Sequence, residues 1–163
     1  MTNSNGSCPN SSKLPRTGSL CEIGFGAGVL LGLLWARFPD ASLCGVDPST
    51  VMLRQAARAI GDAAIDLCCA AAADLPFEND RFDVTLSFNT VQFWPDLNAG
   101  LREIRRVTRP GGTAPTCIQR RLVLDDAELA GLASAIGEHI GDVGQQHLAQ
   151  SELLTAVVRG GAR

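Results

Sequence analysis

A chain of 163 residues is long enough for one domain with its own hydrophobic core. Hydrophobic residues make up 45% of it and charged residues 19%, which is typical of a globular protein and excludes a disordered tail. The net charge of −3 disfavours a surface dedicated to nucleic acid, and no apolar stretch reaches the ~20 residues that span a bilayer. The sequence therefore predicts a protein that binds neither nucleic acid nor membranes.

The six cysteines do not have the spacing of a metal site. None belongs to a Cys-x-x-Cys pair, and both histidines lie late in the chain, so we expect no metal. Most of the cysteines lie within or beside apolar runs, where a reduced thiol acts as a small core hydrophobe. Reduced cysteines favour a cytoplasmic location.

The first half of the chain alternates between predicted strands and helices. Residues 1–18, rich in Ser, Asn, Pro and Gly, predict a flexible lead-in, and residues 19–163 a single domain. The expected elements are a strand at 19–23, a glycine cluster at 24–28, an apolar helix ended by Pro39, a strand at 42–46, an amphipathic helix at 49–60 and a strand at 65–70.

The second half continues the alternation. The expected elements are a polar loop at 74–80, a strand at 81–88, a helix at 98–108 stopped by a turn at 109–112, a strand at 113–124, a helix at 125–137, a strand within 138–148 and a last strand at 153–159. This pattern predicts an α/β fold with a mostly parallel sheet covered on both faces. Ligands bind such sheets at the carboxyl ends of the strands.

Two features follow the first two strands at that edge. Gly24, Gly26 and Gly28 allow left-handed backbone and a close approach to a ligand, although Val29 breaks the dinucleotide Gly-x-Gly-x-x-Gly pattern. Asp47 stands 19 residues after Gly28. Its carboxylate can accept hydrogen bonds from two neighbouring ribose hydroxyls, or it can cap the helix that follows.

Four segments in order resemble class I S-adenosylmethionine-dependent methyltransferases. They are LCEIGFGAG at 20–28, VDPSTVML at 46–53, DLPF at 74–77 with RFDV at 81–84, and LREIRRVTRPGG at 101–112. The resemblance covers residues 20–113. It implies a three-layer α/β/α Rossmann-like methyltransferase fold with a C-terminal antiparallel strand, and S-adenosylmethionine as the cofactor.

The resemblance also implies a set of cofactor-binding residues, which follow the ends of the first four strands. They are Glu22, Gly24, Phe25, Gly26, Asp47, Pro48, Met52, Ala71, Ala72, Asn89 and Thr90. Glu22 would hold the methionine end and Asp47 the ribose, while Asn89 and Thr90 would lie near the sulfonium. Met52 would pack against the adenine, or belong to the core of its helix.

The chain departs from the family pattern at Ala71, where relatives carry an acidic residue that meets the adenine amino group. No catalytic residue stands out, and Asp96 and His139 are the nearest candidates for a general base. FWPD at 93–96 recurs in relatives acting on small metabolites, so we expect a small-molecule acceptor. Relatives cover the acceptor site with a longer N-terminal segment and a lid, whereas here 18 residues precede the first strand and the stretch at 114–125 is brief. We therefore expect the acceptor pocket to be shallow, completed by a second copy in a homodimer, or absent.

Two other functions stay open at this point. One is a nicotinamide-dependent oxidoreductase, which also needs a glycine turn and an acidic residue after the second strand. The other is a degenerate methyltransferase-like domain that binds ligand weakly or serves as an interaction module. Ala71 favours the second, whereas the presence of Glu22 and Asp47 opposes it.

Overall fold

The computed structural model describes residues 18–119, 125–148 and 151–159. Seven strands in this part of the chain form one sheet in the order β3-β2-β1-β4-β5-β7-β6. The strands are β1 (Ser19–Ile23), β2 (Ser42–Asp47), β3 (Ile65–Cys69), β4 (Phe82–Phe88), β5 (Thr108–Gln119), β6 (Gly141–Leu148) and β7 (Ser151–Val158). The helices are α1 (Val29–Arg37), α2 (Thr50–Ile60), α3 (Leu97–Val107) and α4 (Asp126–His139), with a 3-10 turn at Val91–Phe93. Of the predicted lead-in, all but Gly18 lies outside the described residues.

The sheet is parallel from β3 to β5 and antiparallel at its last two strands. β1 pairs in parallel with both β2 and β4, so the chain reverses its direction of travel across the sheet at β1. β7 pairs antiparallel with β5 and with β6, with Cys117 opposite Leu153. The predicted α/β fold with a C-terminal antiparallel strand is confirmed, and the β1–β4 junction is the switch point where such sheets bind ligands.

The helices cover the two faces of the sheet in pairs. Phe25, Leu31 and Ala56 join α1 and α2 into one small core over β2 and β3. A larger core lies on the opposite face, where Leu101 and Ile104 of α3 and several residues of α4 pack against the other strands. No helix in the described residues is both long enough and apolar enough to cross a membrane.

The Pro-Gly-Gly segment differs from its prediction. It was expected as a turn between helix and strand, but α3 ends at Val107 and β5 begins at Thr108, so the segment belongs to the strand. The register with β4 shifts there, since Phe82 pairs with Thr108 and Val84 with Thr113. Residues 109–112 therefore form a bulge, and Gly111 takes the positive φ of 79° that the bulge requires.

The cysteines follow the core prediction in part. Cys21 and Cys44 are buried thiols at paired positions of β1 and β2, and Cys69 and Cys117 also lie outside disulfides. Cys68 is disulfide-bonded, so the expectation of a reduced thiol in an apolar run is wrong at this position.

Candidate functional site

A cleft of about 380 Å³ opens at the carboxyl ends of β1 and β4. One side is formed by Glu22 and by Gly24 and its neighbours, a segment called here the glycine turn (residues 24–28). The other side is formed by Phe88, Asn89 and Thr90, which end β4, and α1 closes it with Val29, Leu30 and Leu33. The switch point of the sheet thus holds a concave site of the size that small ligands use.

Close neighbours leave no room for a side chain at two of the three glycines in the glycine turn. Gly24, Gly26 and Gly28 have φ angles of 79°, 55° and 82°. A Cβ on Gly24 would lie 2.5 Å from Cγ2 of Thr90, and one on Gly28 would lie 2.8 Å from Cβ of Ala56. A Cβ on Gly26 would meet nothing within 4 Å. The turn therefore packs closely against its neighbours on both sides and is open above Gly26, where a ligand can reach the backbone.

Asp47 ties the glycine turn to the start of α2. Its Oδ2 accepts a hydrogen bond from the N–H of Gly26 at 3.0 Å, and its Oδ1 accepts one from the N–H of Ser49 at 2.8 Å. The cap of α2 is Ser49, whose hydroxyl accepts from the N–H of Met52 at 3.3 Å. Ser49, and not Asp47, therefore caps α2. Each carboxylate oxygen of Asp47 keeps a lone pair that can accept a further hydrogen bond.

Glu22 places a buried carboxyl group in the cleft. Its residue is 2% exposed, and its Oε2 has no hydrogen-bond partner among the described residues. Burial, followed by the negative charge of Asp47, raises the pKa of Glu22 to about 8. A buried carboxyl with an unused oxygen is costly in an otherwise satisfied core, and a ligand that donates a hydrogen bond or brings a positive charge removes that cost.

The β4 side of the cleft is held by short polar contacts. Oγ1 of Thr90 donates to the carbonyl of Ile23 at 3.1 Å and lies 2.6 Å from Oγ of Ser87. Asn89 has a positive φ of 58°, and its Oδ1 accepts from the N–H of Gln119 at 2.7 Å. Both residues line the cleft, and their contacts with a cofactor stay predictions. The side-chain oxygen of Asn89 is engaged in joining β4 to β5.

Five other predicted cofactor residues either pack into a hydrophobic core or lie exposed outside the cleft. Phe25 lines the cleft, but its ring is buried in the α1–α2 core, with Cδ1 2.8 Å from where a Cβ of Gly45 would lie. Met52 packs against the same core, as its alternative interpretation expected. Pro48 and Ala71 are exposed, and the half-buried Ala72 packs against the larger core. None of the last four lines the cleft, and their contacts with a cofactor stay predictions.

The two candidate bases have structural partners instead. Asp96 caps α3 by accepting a hydrogen bond from the N–H of Ala99 at 2.8 Å, and His139 lies 3.2 Å from Oδ1 of Asn98. Neither lines the cleft. Within the described part of the chain, no group of three His, Cys, Asp or Glu side chains is arranged to hold a metal ion.

Sequence reasoning missed the apolar side of the cleft. Val29 and Leu33 lie one helical turn apart on α1 and are 70% and 63% exposed, and Phe88 is 40% exposed. Of the α1 side chains only Leu31 is fully buried, although the helix sequence VLLGLLWAR is apolar almost throughout. That excess of apolar residues over what one buried face needs was the signal for a second contact surface.

The family match covers the site described above. The methyltransferase domain family matches residues 21–115 of this chain. The uncharacterized methyltransferase YdaC of Bacillus subtilis is 32% identical over 108 residues, which are 66% of this chain and 60% of that protein. The demethylmenaquinone methyltransferase of Roseiflexus sp. is 33% identical over 105 residues, 64% of this chain and 44% of the relative. The malonyl-[acyl-carrier protein] O-methyltransferase of Priestia megaterium is 28% identical over 95 residues, which are 58% of this chain and 34% of that protein.

These matches span from a third to three fifths of the length of the relatives. Solved structures share the fold at low identity. A SAM-dependent methyltransferase from Aquifex aeolicus superposes with a TM-score of 0.73 at 14% identity, covering 89% of this chain and 84% of that one. Phosphoethanolamine N-methyltransferase 2 of Haemonchus contortus, in complex with S-adenosyl-L-methionine, superposes with a TM-score of 0.73 at 16% identity. The superposition covers 88% of this chain and 49% of that one. The chain belongs to the class I S-adenosylmethionine-dependent methyltransferase family.

Proposed function

We propose that this chain transfers a methyl group from S-adenosylmethionine to a small-molecule acceptor. The observation that carries the proposal is the buried, unpartnered carboxyl oxygen of Glu22 beside the glycine turn. The α-amino group of a bound amino-acid moiety would satisfy this oxygen and neutralise the carboxylate. A nicotinamide dinucleotide has no amino-acid moiety to place there, so the same feature counts against an oxidoreductase.

The rest of the site fits the same cofactor. The open backbone above Gly26 admits the methionine portion, and Asp47 can accept from both ribose hydroxyls while keeping its bonds to Gly26 and Ser49. Thr90, fixed by Ser87 and Ile23, lines the cleft where it meets the end of β4. These contacts cover the methionine and ribose portions, and Ala71 leaves the adenine without a carboxylate partner.

The bound cofactor supplies an electrophilic sulfonium methyl group. The protein's task is then to hold the acceptor atom in line with that methyl group and to exclude water. We expect that acceptor to be a small molecule. Relatives named for demethylmenaquinone and for 2-methyl-6-phytyl-1,4-hydroquinone support this acceptor class.

A degenerate binding domain is the second candidate, and the exposed Ala71 favours it. The two candidates differ in turnover and agree on binding. Methyl transfer to any acceptor in a metabolite extract, followed with a methyl-labelled donor, would decide for the enzyme. Cofactor binding without transfer to any fraction would decide for the degenerate domain.

Calorimetric titration with S-adenosylmethionine and S-adenosylhomocysteine tests the cofactor. Asp47→Ala should weaken both by about 2 kcal/mol, roughly thirtyfold, because two hydroxyls lose a charged acceptor. The matched control is Asp83→Ala at the opposite end of the sheet, where the carboxylate accepts from Ser19 and pairs with Arg109 at 2.7 Å. Equal affinity in the Asp47 variant and the wild type would contradict the ribose role.

A further inference from the structure

The apolar side of the cleft makes none of the contacts proposed for the cofactor. Val29, Leu33 and Phe88, called here the apolar wall, are three of the seven large hydrophobic side chains that are exposed in the described residues. All three line the same cleft. Exposed apolar residues scattered singly are ordinary, but their convergence on one concave site indicates a ligand surface.

The wall lies on the side of the cleft where the sheet is open. α1 and α2 pack over β2 and β3, while α3 and α4 pack on the other face of the sheet. Phe88 follows Leu86 and Val84 on β4 at two-residue spacing, so the three side chains share the face that bears α1. In the described residues no helix covers β4 on this face, and the wall remains accessible.

The charges around the wall favour an uncharged ligand. Glu22 is the only ionisable residue among the described residues that line the cleft, and it lies at the glycine turn. A charged substituent on the wall would therefore have no oppositely charged side chain among the described residues that line the cleft.

We infer that the methyl acceptor carries an apolar substituent that packs on Val29, Leu33 and Phe88, while its reacting atom lies at the glycine-turn end of the cleft. This inference rests on the proposed function and specifies its acceptor as a lipophilic, uncharged molecule. The wall belongs to the same concavity as Glu22 and Thr90, so an acceptor that reaches the methyl group must pass or touch it. A second copy of the chain is the competing occupant, and the experiment separates the two.

The experiment titrates 4-alkylcatechols with ethyl, butyl and hexyl chains into protein saturated with S-adenosylhomocysteine. Affinity should rise about three- to tenfold with each two-carbon step, because each added methylene leaves water for the wall. Leu33→Gln, which keeps the helix and the side-chain length, should flatten this dependence. Val157→Thr is the matched control, since Val157 is 49% exposed on β7 and does not line the cleft. It should keep the wild-type slope.

Three results would overturn the inference. Saturable binding of S-adenosylhomocysteine with catechol affinity independent of chain length would leave the proposed function standing and remove the lipophilic acceptor. The same slope in Leu33→Gln as in the wild type would place the apolar substituent elsewhere. A dimer in sedimentation velocity that Leu33→Gln dissociates would assign the wall to a second copy. Failure to bind S-adenosylhomocysteine at all would overturn the proposed function itself.

Discussion

Glu22 and Asp47 bring two carboxyl groups to one glycine turn from neighbouring strands. Glu22 pairs with Gly45 across β1 and β2, and Asp47 ends β2 two residues later. Asp47 has hydrogen-bond donors on both oxygens, whereas Oε2 of Glu22 has none among the described residues. Burial and then the charge of Asp47 raise the pKa of Glu22 to about 8. The carboxyl of Glu22 therefore keeps its proton at neutral pH in the unliganded protein.

Glu22→Gln should stabilise the unliganded protein at high pH and change it little at low pH. The pKa of Glu22 is about 8 in the folded chain, above its ordinary value of 4.5, so the folded state binds the proton more tightly. The stability that this proton contributes is present below pH 4.5 and is lost as the pH rises through 8. The variant should gain about 1–3 kcal/mol over the wild type at pH 9 in urea denaturation, and little at pH 5.

The control for this experiment is Glu78→Gln, a change at an exposed glutamate. Its effect on the free energy of unfolding should be small, because the side chain is exposed. A stability difference between Glu22→Gln and the wild type that is the same at pH 5 and pH 9 would show that the Glu22 pKa is ordinary in the folded chain.

Binding of S-adenosylmethionine should release a proton below pH 8. Glu22 must ionise to pair with the α-amino group, whose own pKa is about 7.7–8.0. Between pH 6 and 7.5 the affinity should therefore rise with pH, by up to about tenfold per pH unit. Calorimetry at pH 6.5 in two buffers of different ionisation enthalpy should report close to one proton released by the wild type and none by Glu22→Gln. Equal proton release in both proteins would assign the titration to another group.

Local patterns in the sequence predicted the alternation of strands and helices. They also predicted an acidic residue at the end of each of the first two strands. The placement of the Phe25 ring could not be predicted in this way, because it depends on Gly45 leaving room for it across the sheet. Asn89 was expected near the cofactor, yet its Oδ1 binds the backbone of Gln119, 30 residues away in sequence. Such partners are set by tertiary register, which no spacing in a single chain shows.

Arg106 should be one of the most important side chains for stability outside the cleft. Its guanidinium donates to the carbonyls of Leu75 and Phe77 at 2.9 and 2.6 Å and to both oxygens of Glu103. It thus joins the loop after β3 to α3. Arg106→Ala should lower the free energy of unfolding by about 1–3 kcal/mol, because the two carbonyls lose charge-assisted hydrogen bonds.

Urea denaturation with Arg105→Ala as the control would measure this effect. Arg105 precedes Arg106 on α3 and donates to the carbonyl of Arg159 in an exposed contact. Its loss should cost less than that of Arg106. Equal destabilisation by the two changes would mean that the loop contacts of Arg106 contribute nothing beyond an ordinary surface hydrogen bond.

Ala71→Asp should tighten binding of S-adenosylmethionine if the adenine lies at the end of β3. Cys69 ends that strand opposite Asp47, and Ala71 follows two residues later at an exposed position. A carboxylate there stays partly solvated, so its desolvation cost is small, and it can accept from the adenine amino group. The expected gain is about 1–2 kcal/mol, or roughly five- to thirtyfold in affinity.

Ala73→Asp, at a second exposed position of the same segment, adds the same charge and should change the affinity little. The titration is repeated with an analogue that lacks the adenine amino group, for which Ala71→Asp should give no gain. Equal gains for the cofactor and the analogue, or equal gains from Ala71→Asp and Ala73→Asp, would show that the adenine amino group does not face residue 71.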